Sequence, residues 1–333
     1  MRVRKLDVKE HGKTRKLYEE VFPQDSQAFV DYYYSEKTKD NCIYVIEKEE
    51  EILAMLHLNP YRFMVNGREK SVNYVVAVAT KEEYRGRGYM RSLLVQALKD
   101  MYGAGESFTF LMPAAEAIYL PYDFRTVYEQ EHREYDEQNP TDNGVEISVL
   151  LEEECRELAN TVNQYLAANF QVFAVRDEAY YQRLMKEMGS DGGKLILCRK
   201  EGEIIDCLES LEGEGYSAKP KIMTRIVDVR RMLMSVHLRS LMAVCFHITD
   251  QVIEENNRCV VITGTEYSGV MLMDSKPENS EGTITVGALT SLLFGAKTVE
   301  EVCEEEGVIM SERMKGEMKK IIPLSKIYIN EIV

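Results

Sequence analysis

The stretch from Val76 to Leu94 constrains the fold more than any other part of the chain. It begins as an apolar β-branched strand, continues through a charged loop into Arg-Gly-Arg-Gly at residues 85–88, and ends with apolar residues at helical spacing. Glycines let a backbone approach an anion closely, and a helix N terminus offers free N–H groups and a positive dipole end. Arg85 and Arg87 add positive charge at the same place. The sequence therefore predicts a phosphate-binding turn between a strand and a helix.

Two common phosphate-binding motifs do not fit this turn. A P-loop requires Gly-Lys-Ser/Thr after a longer loop, and the dinucleotide fingerprint requires Gly-x-Gly-x-x-Gly after the strand. The segment does resemble the acyl-CoA loop of the GNAT acetyltransferase superfamily, which reads Arg/Gln-x-x-Gly-x-Gly/Ala. Residues 85–90, Arg-Gly-Arg-Gly-Tyr-Met, fit this pattern with Met90 in place of the last small residue.

The resemblance implies acetyl-CoA as a co-substrate. In this family the loop amides bind the CoA pyrophosphate, and the preceding strand pairs with the pantetheine arm through main-chain hydrogen bonds. A basic turn that binds no ligand is the alternative. The residues that the resemblance assigns to the binding of acetyl-CoA are Val76, Ala77, Val78, Arg85, Gly86, Arg87, Gly88, Tyr89 and Met90.

Length, cysteines and histidines limit the class of protein. A chain of 333 residues predicts two or three domains. The seven cysteines form no Cys-x-x-Cys and the N terminus shows no signal-peptide pattern, so reduced thiols and a cytoplasmic location are expected. No apolar run is long enough to span a bilayer, so no membrane partner is expected. The five histidines lack metal-ligand spacing, and no metal is expected.

The formal net charge of −15 limits the partners. Nucleic acid is not expected, because phosphate neutralisation needs clustered basic residues. The charge is compatible with a cationic substrate drawn by long-range attraction. Solubility alone is an equally good explanation of it.

Residues 1–140 alternate helix and strand signals in an order that predicts a mixed α/β sheet. Apolar β-branched runs predict strands, Asn66-Gly67 predicts a hairpin turn, and the spacing after Gly88 predicts a helix. This order also matches the GNAT fold. The predicted elements are strands Ile43–Glu47, Ile52–Leu58, Val72–Ala79 and Phe108–Met112, and a helix Gly88–Tyr102.

Residues 113–124 follow a predicted strand, where α/β proteins tend to place their sites. They resemble the Glu-Gly-x-Ile-Tyr-x-x-Phe-Gly-Tyr segment of the Eis (enhanced intracellular survival) branch of GNAT enzymes, since Glu116, Ile118 and Tyr119 match. The resemblance implies that Tyr119 is the general acid that protonates the departing CoA thiolate. An aromatic packing role is the alternative for Tyr119. Glu116 is assigned to substrate binding and is a candidate base, with capping of the following helix as its alternative.

The rest of the chain resembles the later domains of Eis-type proteins. The middle part has the element order of a second, degenerate GNAT half that lacks the CoA loop. The last part, where Met223 is predicted to begin a helix, resembles a sterol carrier protein. Lipid binding does not follow, because the same apolar pattern packs helices on a sheet. The predicted linkers are 139–144 and 213–220, and the predicted domains are 1–140, 141–220 and 221–333.

The resemblance also implies a role for the C terminus. In Eis-type enzymes the free C-terminal carboxylate enters the active site as the base, which assigns this role to Val333. An α-carboxylate is ionised at neutral pH and can accept a proton from an ammonium group. Alternatively, the apolar terminal strand completes the third domain.

Together these features predict an acetyl-CoA-dependent N-acetyltransferase. The resemblance suggests a cationic small molecule with several amines, similar to an aminoglycoside, as the acceptor. Lysines of peptides or proteins are the nearest alternative. A catalytically silent CoA-binding regulator and a lipid carrier are the alternatives of other classes. The resemblance also implies a homo-oligomer, a ring-like hexamer.

Overall fold

The computed structural model describes residues 2–131, 133–135, 144–210 and 219–332. The predicted linkers lie almost entirely outside these residues, and so does Val333. The described strands are β1 (Val3–Lys5), β2 (Cys42–Lys48), β3 (Glu51–Val65), β4 (Arg68–Thr80), β5 (Phe108–Leu111), β6 (Arg125–Glu129), β7 (Val145–Val149), β8 (Val172–Ala174), β9 (Lys194–Lys200), β10 (Glu203–Ser210), β11 (Lys221–Ile226), β12 (His237–Leu238), β13 (Met242–Thr249), β14 (Arg258–Thr265), β15 (Gly269–Asp274), β16 (Gly282–Thr285), β17 (Ile309–Met310), β18 (Ile321–Ile322) and β19 (Ile327–Tyr328). The described α-helices are α1 (Arg15–Val21), α2 (Gln27–Ser35), α3 (Tyr89–Ala104), α4 (Glu116–Tyr119), α5 (Cys155–Asn169), α6 (Glu178–Ser190), α7 (Val229–Leu233), α8 (Val286–Leu293), α9 (Val299–Val302) and α10 (Glu312–Met318).

The largest sheet has nine strands and carries the phosphate-binding turn. Its order is β1-β2-β3-β4-β5-β11-β6, with β8 paired to β3 and β19 paired to β8. Strands β1 to β4 are antiparallel, β4 and β5 are parallel, and β11 is antiparallel to both of its neighbours. The expected mixed α/β architecture is therefore confirmed.

The hairpin predicted at Asn66-Gly67 joins β3 to β4. Val65 pairs with Arg68, so the loop has two residues, and both take positive φ angles, 46° at Asn66 and 75° at Gly67. Such a turn matches the right-handed twist of the two strands that it connects. This fixes the register of the long β3–β4 pair on which the site is built.

The helix predicted after Gly88 is α3, and it covers one face of the large sheet. Its buried residues recur at helical spacing and pack against β2, β3 and β4. They are Leu93, Leu94, Ala97, Leu98 and Met101.

The prediction that Met223 begins a helix is wrong, because residues 221–226 form β11, inserted between β5 and β6. Helix α7 starts only at Val229, with Asp228 as its N-cap. A strand buried on both faces has a continuous apolar pattern, which periodicity cannot distinguish from a buried helix. The large sheet thus contains strands from all three predicted domains, and the division 1–140, 141–220 and 221–333 stays a prediction.

The described residues form three further sheets, of which the smallest is the antiparallel pair β12–β18. The order β10-β9-β7 forms a three-stranded sheet that packs with α5 and α6 around its own core. The order β15-β14-β13-β16-β17 forms a five-stranded sheet near the completely buried α8. The sterol-carrier-like character of this last part stays a prediction.

The C-terminal segment, residues 327–332, belongs to the large sheet. Its strand β19 runs parallel to β8, so that Ile327 pairs with Val172 and Tyr328 with Phe173. The alternative that the terminal strand completes the third domain is therefore wrong. Apolar residues at this position are explained by burial, since Ile329 is fully buried.

Candidate active site

Strand β4 is irregular just before the phosphate-binding turn. Val76 pairs with His57 and Ala79 with Met55, so β4 holds one more residue than β3 between these pairs. Ala77 lies in this bulge with a φ of 47°, which non-glycine residues rarely adopt. A bulge bends its strand and increases the local twist. It therefore redirects the part of β4 that resembles the pantetheine-binding strand.

The bulge coincides with a separation of β4 from β5. The two strands share a single aligned pair, Tyr74 with Phe110, and no other described strand pairs with this edge of β4 beyond Tyr74. Residues 76–78 therefore present main-chain hydrogen-bonding groups in an opening of the sheet. An unpaired strand edge binds an extended ligand through such groups.

The turn between β4 and α3 has the geometry of an anion site. Gly86 and Gly88 take φ angles of 74° and 78°, and a Cβ atom added at either would meet nothing within 4 Å. Gly88 is the N-cap of α3, so no side chain caps the helix. The open space above both glycines and the exposed N terminus of a 16-residue helix suit a phosphate group.

The two arginines of the turn are exposed and also stabilise it. Arg85 Nε donates a hydrogen bond to the carbonyl oxygen of Thr80 at 3.3 Å, and Arg87 Nη2 donates to that of Glu83 at 3.0 Å. The Arg87 guanidinium lies 4.9 Å from the centre of the Tyr84 ring. Each guanidinium keeps further N–H donors for an anion, because it has five in all.

Met90, the departure from the family pattern, does not disturb the turn. Its side chain is half-buried and packs against the main hydrophobic core. Tyr89 precedes it and stacks on Tyr84 at a ring distance of 6.2 Å. The larger side chain at position 90 therefore occupies space in the core and leaves the glycines free.

Tyr119 lies at the end of α4, which follows β5. Carboxyl ends of parallel strands lie at one edge of a sheet, so Tyr119 and the turn after β4 are placed at the same edge. The side chain is 7% exposed, and its ring makes an edge contact with Phe124 at 5.9 Å. Burial raises the pKa of Tyr119 to about 12. Its hydroxyl has no hydrogen-bond partner in the part of the chain that the structure describes.

A residue just after α4 interacts electrostatically with α3, the helix that follows the phosphate-binding turn. Burial raises the pKa of Tyr122, which follows α4, and the positive charge of Arg91 in the first turn of α3 opposes this rise. The two elements are therefore close enough to share one site.

Glu116 lies in a network of its own. Its carboxylate accepts hydrogen bonds from Lys221 Nζ at 2.7 Å and from Thr126 Oγ1 at 2.6 Å. Both bonds lower the pKa of Glu116, and the bond from Lys221 has the larger effect. A carboxylate with a lowered pKa is a weaker base. Its side chain does not cap α4 either, because the N-cap is Ala115 and no side chain bonds to it.

Side chains from β6 and from Gln130, the residue after it, fix the C-terminal segment. Gln130 Nε2 donates to the carbonyl oxygens of Ile329 and Glu331, both at 3.1 Å. Tyr128 donates through its hydroxyl to Asn330 Oδ1 at 2.9 Å. The segment therefore closes the space between β8 and β6. Val333, the predicted base, lies outside the described residues.

Tyr74 connects this segment with the predicted acid. Burial raises the pKa of Tyr74, and electrostatic interactions with Tyr61, Glu331 and Tyr119 add to the rise. The ring of Tyr74 stacks on Phe110 at 4.5 Å. Glu331 and Tyr119 thus both lie near the point where β4 and β5 separate.

Two cavities border the C-terminal segment, and Ile332 lines both. The first has a volume of about 600 Å³, and its wall includes six aromatic side chains. The second, of about 440 Å³, lies between the β3–β4 pair and α6 and has a charged wall. Aromatic residues of the first are Tyr128, Tyr165, Phe170, Tyr180, Tyr181 and Tyr328, and charged residues of the second are Lys37, Asp40, Arg62, Asp177, Arg183 and Glu187.

Several residues of this site carry no signal in the sequence. Ala77 gives no indication of its positive φ, since alanine rarely adopts it. Gln130 and Tyr61 contact the C-terminal segment across nearly two hundred residues or more.

The described residues offer no candidate metal site, because no group of three or more His, Cys, Asp or Glu among them could hold an ion. No helix among them is long and apolar enough to cross a membrane.

Comparisons with known proteins agree with this geometry. Residues 2–127 match the family model of the acetyltransferase (GNAT) domain. No curated protein matches the sequence.

Solved structures share the fold along the whole chain. A conserved protein of Enterococcus faecalis V583, named a probable N-acyltransferase, is 13% identical, with 100% of this chain and 99% of that chain covered and a TM-score of 0.76. The GCN5-related N-acetyltransferase of Kribbella flavida is 12% identical, with 99% and 98% covered and a TM-score of 0.77. Eis1 of Mycobacterium abscessus is 12% identical, with 100% of both chains covered and a TM-score of 0.73. The chain thus has the fold of these proteins, and its residues 2–127 are similar to the acetyltransferase (GNAT) domain.

Proposed function

We propose that the protein transfers the acetyl group of acetyl-CoA to an amine of a cationic small molecule, similar to an aminoglycoside. The observation that carries the proposal is the bulged, open edge of β4 followed directly by two glycines at a helix N terminus. This arrangement joins main-chain groups for an extended arm to a cradle for phosphate. A basic turn without a ligand would need neither the bulge nor the open edge.

The residues present fit acetyl-CoA. The turn around Gly86, Gly88 and Arg87 would hold its phosphates, and residues 76–78 would hold its pantetheine arm. When bound, it supplies the acetyl group and a thiol leaving group. The chain must then provide an acid for the thiolate and a way to remove a proton from the amine.

Tyr119 is the proposed acid. A pKa of about 12 keeps its phenol protonated throughout the physiological range, and its hydroxyl is not engaged by another described side chain. The packing contact with Phe124 then orients the ring.

The carboxylate of Val333 is the proposed base. Support comes from the residues before it, since Glu331 is 1% exposed and the whole C-terminal segment is hydrogen-bonded into the sheet. Glu116 is the weaker candidate, because Lys221 and Thr126 engage its carboxylate. We assign Glu116 to the wall of the substrate site.

Long-range charge supports a cationic acceptor. In the second cavity the carboxylates of Asp177 and Glu187 are paired with Arg62 at 2.7 Å and with Lys37 at 3.3 Å. Local charges therefore balance there, and attraction of a cation comes from the net charge of −15. Peptide lysines are attracted in the same way and form the second acceptor class.

The test is release of CoA thiol from acetyl-CoA with a panel of aminoglycosides, polyamines and lysine peptides. Tyr119→Phe is compared with Tyr44→Phe, which removes a buried hydroxyl that binds Asp100 far from the turn. Turnover of one class, lost in Tyr119→Phe but not in Tyr44→Phe, supports the proposal and names the acceptor. Binding of CoA without turnover of any amine would instead support a silent regulator.

Two further expectations need separate measurements. Lipid extraction of the purified protein followed by mass spectrometry tests the lipid-carrier alternative for residues 221–333. Light scattering coupled to size-exclusion chromatography tests the expected hexamer.

A further inference from the structure

The first cavity of the candidate site has an apolar wall. Six aromatic and eight aliphatic residues are among the 22 described residues that line it, and its volume is about 600 Å³. Protein interiors are close-packed and leave few voids larger than a water molecule. A cavity of this size and composition is therefore typical of a site for a small organic ligand.

Aromatic contacts continue around this wall. Tyr165 contacts Phe170 at a ring distance of 6.2 Å, and Phe170 contacts Tyr328 at 5.2 Å. Tyr180 makes an edge contact with Tyr181 at 5.3 Å. Aromatic rings attract a further ring in offset or edge-on geometry, which favours an aromatic ligand over an alkyl chain.

Charge in the wall does not favour an anionic ligand. Arg176 Nη2 donates to Glu331 Oε1 at 3.4 Å, and its guanidinium lies 5.2 Å from the ring centres of Tyr180 and Tyr328. An anionic head group would compete with these partners of Arg176, and the net charge of −15 would repel it. The same net charge attracts an amine.

The first cavity adjoins the second one, which leads towards Tyr119. Tyr180 lines both cavities, and Tyr61 lines the second. The ring of Tyr61 lies 6.4 Å from that of Tyr74. Burial raises the pKa of Tyr74, and electrostatic interactions with Tyr61 and Tyr119, among others, add to the rise. A molecule whose ring occupies the first cavity can therefore extend its other end towards Tyr119.

We propose that the first cavity binds the ring of an arylalkylamine, whose amino group extends through the second cavity towards Tyr119 and is the acetyl acceptor. The inference rests on the proposed function and names an acceptor class that has one apolar end. The amine nitrogen forms an amide bond with the acetyl carbon as the carbon–sulfur bond of acetyl-CoA breaks. The proton that the amine loses passes to the general base, and the CoA thiolate takes one from Tyr119.

Tryptamine is the probe for this class. The chain contains no tryptophan, so indole emission that is excited beyond the absorption of tyrosine comes from the ligand alone. Transfer of the indole from water into an apolar cavity shifts this emission to shorter wavelength. Titration of tryptamine with the full chain therefore measures the Kd without any need for turnover.

Three variants locate the ring. Val162→Phe adds a phenyl group to the wall of the first cavity, and Tyr165→Ser removes an aromatic side chain that is 57% exposed. Ala168→Phe is the matched control, because it adds the same phenyl group at an exposed position of α5 outside the cavity wall. We expect Val162→Phe to raise the Kd at least about tenfold, Tyr165→Ser about fivefold and Ala168→Phe less than about twofold.

Acetylation is measured in parallel as CoA thiol release with tryptamine and with ethanolamine, which shares the aminoethyl group but has no ring. The kcat/KM for tryptamine should exceed that for ethanolamine by about a hundredfold, because only tryptamine buries a ring. Val162→Phe should reduce this ratio about tenfold. The ratio within one variant does not depend on how much of the protein is folded.

Each other outcome overturns a defined part of the proposal. No emission shift with wild type, or equal Kd values in wild type, Val162→Phe and Tyr165→Ser, would overturn the inference even if polar amines are acetylated. Displacement of tryptamine by palmitate but not by phenethylamine would assign the cavity to an anionic lipid and overturn it as well. Binding in the cavity with acetylation of other amines only would overturn the acceptor role. Binding without acetylation of any amine would overturn the proposed function, and the acceptor role with it.

Discussion

The carboxylate of Glu106 accepts two hydrogen bonds from Asn73, one from its backbone N–H at 3.0 Å and one from its side-chain amide at 2.6 Å. This contact joins the approach to β5, two residues before its start, to the residue of β4 that precedes the aligned Tyr74. Glu106 is 6% exposed, and burial raises its pKa to about 7 despite both hydrogen bonds. The site is thus supported by a carboxyl group that titrates near neutral pH.

Glu106 should make stability depend on pH. Its pKa is raised in the folded state, so its stabilising effect is complete below the unfolded value of 4.5 and is lost as pH rises towards 7. Relative to Glu106→Gln, the wild-type free energy of unfolding should fall by about 3 kcal/mol across this window. Urea unfolding at several pH values measures it. Glu153→Gln, at an exposed position, is the control, and a pH-independent difference between wild type and Glu106→Gln would contradict the prediction.

Gly86 should affect the KM for acetyl-CoA in addition to the stability of the protein. Gly86→Ala places a Cβ atom in the open space of the cradle, and Gly67→Ala introduces the same left-handed strain in a distant hairpin. Both should lose about 1–2 kcal/mol of stability. Only Gly86→Ala should raise the KM for acetyl-CoA, by about tenfold, because the phosphate approaches the backbone there. Equal KM values in the two variants would show that the phosphates of acetyl-CoA do not bind at the turn around Gly86.

Glu116 should contribute little as a base. Its carboxylate is engaged by Lys221 and Thr126, and Glu116→Gln keeps an acceptor for one of them. We expect kcat to change less than about threefold, since a general base contributes at least about a hundredfold. Steady-state kinetics at saturating acetyl-CoA provide the measurement. A hundredfold loss of kcat would contradict this prediction and would identify Glu116, in place of Val333, as the general base.

The ion pair of Arg225 and Asp250 should dominate the stability of the region behind α4. Both side chains are fully buried, and Arg225 Nε also donates to the carbonyl oxygen of Tyr122 at 2.7 Å. Arg225→Met should lower the free energy of unfolding by about 3–5 kcal/mol, because it leaves Asp250 unpaired. Arg62→Met breaks an exposed pair with Asp177 and should cost less than about 1 kcal/mol. Chemical denaturation that gives similar losses for the two variants would refute this prediction.

Local patterns predicted the parts of the fold that depend on nearby residues. The hairpin at Asn66-Gly67, helix α3 and the glycine turn before it follow from turn chemistry and periodicity, and the structure confirms them. The motif alone places Tyr119 after a strand, and the structure adds that its ring is buried. Its catalytic role stays a prediction, as does that of Val333.

Long-range pairing could not be predicted in this way. Strand β11 resembled a helix because both of its faces are buried, and β19 pairs with β8 over a separation that no local pattern records. The bulge at Ala77 depends on the register of β3 against β4 and not on the residue itself. The contact of Tyr61 with Ile332 depends on the pairing of β3 with β8 and of β8 with β19.

The position of β11 has a consequence for biosynthesis. A ribosome makes β5 long before β11, which covers its second edge, and β8 long before β19. Until then, each nascent chain exposes strand edges that can pair with other chains. Yield in a cell should therefore depend on chaperone supply and growth temperature during translation as well as on the stability of the finished protein.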